Sequence, residues 1–206
     1  DKAKDTLSVK ANALKKVRVA AAPKLCDVVN KQMSHLQMGS AQIELNFEDL
    51  PFEQWNKVGS TKIELMYKPS AQMTARPLRK IASGGEVSRV MLACKVVLGE
   101  SDDCDTLVFD EVDAGVGGTT AVALAEVLAQ LAKTHQVIVV THLPQVAVLA
   151  SKHYVVSKTE EHNALPITSL TEVSGTQREE EIARMLSGSI TEASLAHAHE
   201  LLTETY

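Results

Sequence analysis

At 206 residues, with 45% hydrophobic side chains and a mean hydropathy of −0.03, the chain can bury one sizeable core and has the composition of a soluble globular domain. No apolar run reaches the ~18 residues of a bilayer span, no charged-then-apolar leader opens the chain, and Cys26, Cys94 and Cys104 lack CxxC spacing; this excludes a membrane span, a disulfide framework and a structural zinc site, and fits a reducing cytoplasm. The net charge of −5 is uneven, because residues 1–36 carry eight Lys and Arg against three Asp and leave the remainder acidic.

The basic front reads as a helix. Leu7, Ala11, Leu14, Ala21, Leu25 and Val28 recur at alternating steps of four and three, with Arg18 and Gln32 at the intervening seam positions, an imperfect heptad pattern. Two uses of such a helix stay open: packing on its own domain, or a coiled-coil arm. Pro23 removes a helix hydrogen bond and crowds the preceding turn, so a kink or break is expected near residues 19–23. The helical pattern is already running at Asp1, which is not a Met, so the chain is expected to be cut from a longer one. The basic side chains suit either a helix lying along nucleic-acid phosphates or a solvated charged face, and charge alone does not choose. Aromatic residues, at 3%, argue against a base-stacking platform.

Gly39 ends this helix. Residues 42–47 and 62–67 then alternate apolar and polar side chains, the period of half-exposed strands, around a loop containing Pro51, Trp55 and Gly59. Pro69 and Pro77 predict extended chain over 68–80. From Ser83 the pattern alternates: helix 84–98, strand 106–110, helix 119–133, strand 136–141, helix 143–150 and strand 153–157. This is the order of a parallel sheet covered by helices. The solidly apolar stretches 106–109 and 137–140 predict strands buried on both faces. A strand near 166–172 and helices at about 177–187 and 191–204 complete the chain.

Three stretches carry the chemistry. In Ile81-Ala82-Ser83-Gly84-Gly85-Glu86-Val87-Ser88-Arg89, Ser83 is placed to cap a helix, two glycines permit close backbone approach, and Glu86 completes a capping box. The exposed N–H groups of such a helix start attract anions, although SGGE also serves as a plain helix start. In Thr106-Leu107-Val108-Phe109-Asp110-Glu111, an apolar strand delivers two carboxylates at its C-terminal end, where parallel sheets bind ligands. Adjacent strand positions face opposite ways, so the pair divides naturally into one acid for a Mg²⁺ shell and one that polarises an attacking water; exposed acids at a strand end are the other reading. In Val137-Ile138-Val139-Val140-Thr141-His142, a neighbouring strand brings a histidine to the same edge, as a phosphate contact or a structural residue. The glycine-rich stretch Asp113–Thr120 is no phosphate cradle, since GxxxxGK[ST] occurs nowhere in the chain.

In order and spacing, these stretches resemble the C-terminal half of ABC ATPase heads: a signature motif at Ser83–Glu86, a Walker B strand ending at Asp110-Glu111, and a switch histidine at His142. The wording of residues 81–89, 109–118 and 141–147 is most similar to the RecN family of SMC-like bacterial DNA-repair ATPases, strongly over residues 70–160 and weakly at the flanks. The resemblance implies an α/β fold, the C-terminal lobe of an ABC/SMC-type P-loop ATPase head with a mainly parallel sheet, over residues 39–206. Residues 1–38 would be the returning end of a coiled-coil arm. It further implies ATP and Mg²⁺, with Ser83, Gly84, Gly85 and Glu86 binding ATP, Asp110 supporting the metal, Glu111 as general base and His142 sensing the γ-phosphate. Implied partners are an N-terminal lobe bearing Walker A, a second copy of the head, and DNA, with no membrane, in the bacterial cytoplasm at the nucleoid. Where chromosome-organising SMC heads usually carry an aspartate after Walker B this chain has Gly117, and Ala82 replaces a commoner Leu. A non-catalytic head or interaction module of a chromosome-organising complex, and a transporter's nucleotide-binding subunit, are the competing functions.

Overall fold

The computed structural model describes residues 2–81, 83–99, 104–159 and 166–204. They fall into two compact units, Asp1–Asp103 and Cys104–Tyr206.

In the first unit, helix α1 (Lys2–His35) packs against strand β1 (Gln42–Asp49) and helix α2 (Gly84–Leu98). The α1 side chains that disappear from solvent are Ala22, Cys26, Val29 and Met33, continued by Leu36, a stripe with steps of four, three, four and three. This is a different stripe from the expected seam: Leu25 and Val28 stay 39% and 38% exposed, and of the seam residues only Ala11 is among the buried set. The heptad spacing is present, but the face that meets β1 is set one position further round the helix. Nor does α1 break at Pro23. Pro23 is exposed while its neighbour Ala22 and Cys26 are buried, so packing on both sides of the lost hydrogen bond carries the helix through.

Strand β1 runs antiparallel to β2 (Thr61–Lys68), which pairs in turn with the short β3 (Arg76–Pro77). Asn30 of α1 fixes β1 in place: Ile43 N donates to Asn30 Oδ1 at 2.7 Å, and Asn30 Nδ2 donates to Ile43 O at 3.3 Å. Two basic side chains tether the front of α1 to the β1–β2 connection. Lys15 Nζ lies 2.7 Å from Asp49 Oδ1, and Arg18 donates to Val58 O at 2.6 Å. Gly59 is needed there, because its φ of 123° suits glycine and a Cβ would stand 3.3 Å from Leu14 Cδ2.

In the second unit, β4 (Thr106–Phe109) and β5 (Gln136–Val139) pair in parallel, with Phe109 opposite Val139. Between them runs α3 (Thr119–Leu131), burying Ala121, Leu124, Ala125, Leu128 and Leu131. Helix α4 (Pro144–Ala147) is shorter than the expected 143–150. Strand β6 (His153–Thr159) pairs antiparallel with β7 (Ile167–Val173), not with the parallel strands as its place in the alternation suggested. The connection over residues 160–166 is short enough for a hairpin-type return, whereas a parallel crossover needs a dozen residues or more. Helices α5 (Gly175–Ser187) and α6 (Glu192–Glu204) pack on each other, and Ile182, Ala183 and Ala198 join Ala147 and Val148 in one core.

The parallel strands are covered on one face. Leu107 and Phe109 are buried, but Val108, Ile138 and Val140 are 65%, 47% and 58% exposed, contrary to the expectation of burial on both sides. The apolar sequence is suited to a second cover that the described residues of this unit do not supply. Among the described residues no helix is long and apolar enough to cross a membrane.

Candidate nucleotide-handling residues

The first unit holds the Ser83 turn. Ser83 is the extended N-cap of α2, and its Oγ accepts a hydrogen bond from Glu86 N at 3.4 Å. Gly84 is exposed and Gly85 buried. Glu86 Oε1 accepts a hydrogen bond from Tyr67 OH at 3.3 Å, so the capping box formed on its Ser83 side is braced by β2. Burial, and then the Glu86 charge, pushes the Tyr67 phenol up to about 12. Ala82 lies outside the described residues.

The second unit holds the acids and the histidine. Strand β4 ends at Phe109, so the strand alternation expected to separate Asp110 from Glu111 does not extend to them. Instead Glu111 has φ 56°, a left-handed conformation uncommon outside glycine, and both acids are exposed. Two consecutive turns follow, closed by Ala114 N to Glu111 O and Val116 N to Asp113 O, both at 3.0 Å. His142 lies just beyond β5, at the same end of the parallel pair as Asp110 and Glu111, with its side chain 68% exposed.

Asp113 links the two strand ends, and sequence reasoning missed it. Its side chain is 4% exposed, and one oxygen, Oδ2, accepts from Thr141 Oγ1 at 2.5 Å and from His142 N at 3.0 Å, with His142 Nδ1 at 3.1 Å. Thr141 Oγ1 also accepts from Leu143 N at 3.0 Å, which turns the chain into α4. The available signal was a carboxylate beside the wholly buried Val112, in a turn leaving an apolar strand, with a Thr-His pair ending the neighbouring one. The glycines that follow behave as turn formers: Gly115 and Gly118 have φ of 72° and 57°, and a Cβ on Gly117 would meet nothing within 4 Å.

Among the described residues no three His, Cys, Asp or Glu side chains gather into a metal cage. An exposed carboxylate such as Asp110 fits Mg²⁺, which is commonly held by one or two carboxylates with water and substrate phosphates completing its shell.

No protein-family model matches the chain. It is 43% identical over 190 residues to the DNA repair protein RecN of Deinococcus radiodurans, covering 92% of this chain and 33% of that one. It is 41% identical over 221 residues to RecN of Mycobacterium leprae (98% and 37%) and 49% identical over 145 residues to RecN of Treponema pallidum (70% and 25%). The chain thus spans about a third of the length of the curated relatives it matches. Among solved structures it is similar to the Smc head domain with a coiled coil and joint from Pyrococcus yayanosii, with a TM-score of 0.56 at 17% identity over 83% of this chain and 30% of that one. The Pyrococcus furiosus Smc head with an extended coiled coil, bound to the C-terminal domain of ScpA, gives 0.53 at 18% identity over 83% and 39%. At these identities the likeness establishes the fold, that of an SMC-type head.

Proposed function

This chain is a RecN-family sequence that matches the C-terminal part of its relatives, and from that premise we propose that it forms the C-terminal lobe of an SMC-like ATPase head acting in DNA double-strand-break repair and recombination. Residues 39–206 are the lobe and residues 1–38 the returning end of a coiled-coil arm. The exposure of Leu7, Val9, Leu14 and Val17 supports the arm, since apolar residues left in water on a long helix suit a helical partner. The exposed Val108, Ile138 and Val140 support a second cover for the parallel strands, assigned to the N-terminal lobe that carries Walker A.

In this reading the lobe contributes to two ATP sites of a head dimer. The Ser83 turn, with Gly84, Gly85 and Glu86, presents helix-start N–H groups to the γ-phosphate of ATP held by the second head. Asp110 would hold Mg²⁺, which would supply positive charge to offset that of the phosphates. Glu111 accepts a proton from the attacking water, and His142 hydrogen-bonds the γ-phosphate. DNA is the proposed partner of the assembled protein, in the bacterial cytoplasm at the nucleoid. The observation that carries the proposal is that Glu111 and His142 leave paired parallel strands at the same end, with Asp113 hydrogen-bonded across the gap. General-base catalysis contributes about 10²–10⁴-fold, so Glu111→Gln in the full-length protein should lower ATP turnover by that order and prolong the ATP-bound dimer. Turnover and dimer lifetime matching the wild type would remove Glu111 from the mechanism.

A further inference from the structure

Asp113 is a buried carboxylate with an exposed histidine beside it. Its Oδ2 lies 3.1 Å from His142 Nδ1 and 3.0 Å from His142 N. A neutral imidazole has one protonated nitrogen and one bearing a lone pair. A lone pair on Nδ1 would lie within 3.1 Å of the carboxylate oxygen and be repelled by its charge, whereas a proton on Nδ1 is attracted. The nitrogen with the carboxylate beside it therefore carries the hydrogen, and Nε2 is left as the acceptor. The anchor is stiff: Asp113 is 4% exposed, Thr141 Oγ1 donates to the same oxygen at 2.5 Å, and Thr141 passes the constraint on through Leu143 N at 3.0 Å. The ring is 68% exposed, so packing leaves its orientation to these polar contacts.

We propose that Asp113 is a positioning residue that sets the tautomer and orientation of His142, so that in the neutral ring Nδ1 holds the proton and Nε2 faces the nucleotide as an acceptor. The consequence is chemical. A neutral His142 with a bare Nε2 cannot donate to a fully ionised γ-phosphate; it accepts a hydrogen from the attacking water or from a protonated phosphate oxygen, and it donates through Nε2 only when the ring is doubly protonated. This inference rests on the reading of His142 as a γ-phosphate contact for its consequence, while the tautomer itself does not depend on that reading.

The test uses full-length protein labelled with ¹⁵N in its histidine rings, with the His142 signals identified by their loss in His142→Ala. At about pH 8, where an ordinary histidine is neutral, the wild-type ring should carry its hydrogen on Nδ1 and show an unprotonated Nε2. Asp113→Ala removes the oxygen beside Nδ1, so the hydrogen should move to Nε2, the nitrogen that an unpartnered neutral imidazole of histidine protonates. A wild-type ring protonated on Nε2 overturns the proposal outright, whether or not the variant folds. An Ala variant that folds and leaves the hydrogen on Nδ1 also overturns it. Turnover adds a second arm. Asp113→Ala should lower kcat at least tenfold with the KM for ATP within about twofold, and should cost nothing further in a His142→Ala background, because a residue acting through His142 has nothing left to position. An equal loss in both backgrounds would assign Asp113 a structural role and overturn the proposal. If His142→Ala itself leaves turnover intact, the γ-phosphate reading fails, and the ring signals still decide the tautomer.

Discussion

Tyr67 joins the Ser83 turn to the sheet behind it. Its ring is 2% exposed and its hydroxyl donates to Glu86, the residue whose backbone N–H is capped by Ser83. With the folded phenol raised to about 12 from an ordinary 10.0, both folded and unfolded chains hold the proton below about pH 10, where the stabilisation is complete. Between about pH 10 and 12 the unfolded chain releases its proton first, so this stabilisation falls as pH rises. Unfolding of the chain by urea, followed through its single tryptophan Trp55 in the same unit, should show a loss on the order of 2 kcal/mol across that window that is absent in Tyr67→Phe. Identical pH dependence in the two proteins would mean that the buried phenol is not the group responsible. The Ser83 cap was legible in the sequence, because cap and capped residue are three apart and the chemistry is local. Asp113 was not, because its partners Thr141 and His142 lie 28 and 29 residues away and only strand pairing brings them near.

Elements were legible wherever their period was strong, and their neighbours were not. The spacing of α1 announced a long helix, and the structure runs it from Lys2 to His35, yet which stripe is buried depends on where β1 and α2 sit. The same holds for β6, whose place in the alternation suggested a parallel partner, while the short connection to β7 favours an antiparallel one. Packing also divides the basic residues of α1 into two groups. Lys15 and Arg18 are held by Asp49 and Val58 O, and Lys4 lies 4.4 Å from the centre of the Phe52 ring, so reversing these charges disturbs the unit itself. Lys10, Lys16 and Lys24 are exposed. If the arm lies along DNA, changing these three to Glu in the full-length protein should weaken binding across all sequences. It should also flatten the dependence of log K on log salt by about one unit for each phosphate that is no longer neutralised. A slope equal to that of the wild type would take the arm out of the DNA interface.

For the whole molecule, what the chain lacks is as informative as what it presents. The two units carry a capped helix start, two exposed acids and an exposed histidine, yet no GxxxxGK[ST] occurs in 206 residues to cradle the phosphates of a nucleotide. Helix-start N–H groups and a single histidine bind an anion weakly without the lysine and nested amides of such a loop. The parallel strands, bare over Val108, Ile138 and Val140, are incomplete in the same sense. Calorimetry of ATP with Mg²⁺ against the isolated 206-residue chain should therefore give no binding in the micromolar range, and the chain alone should release no phosphate above the buffer rate. If the N-terminal lobe carries both the cradle and the cover for the strands, as proposed, adding it as a separate polypeptide should restore both together. Micromolar affinity in the isolated chain would mean that these residues build a complete site by themselves, and the division of one ATP site between lobes would have to be abandoned.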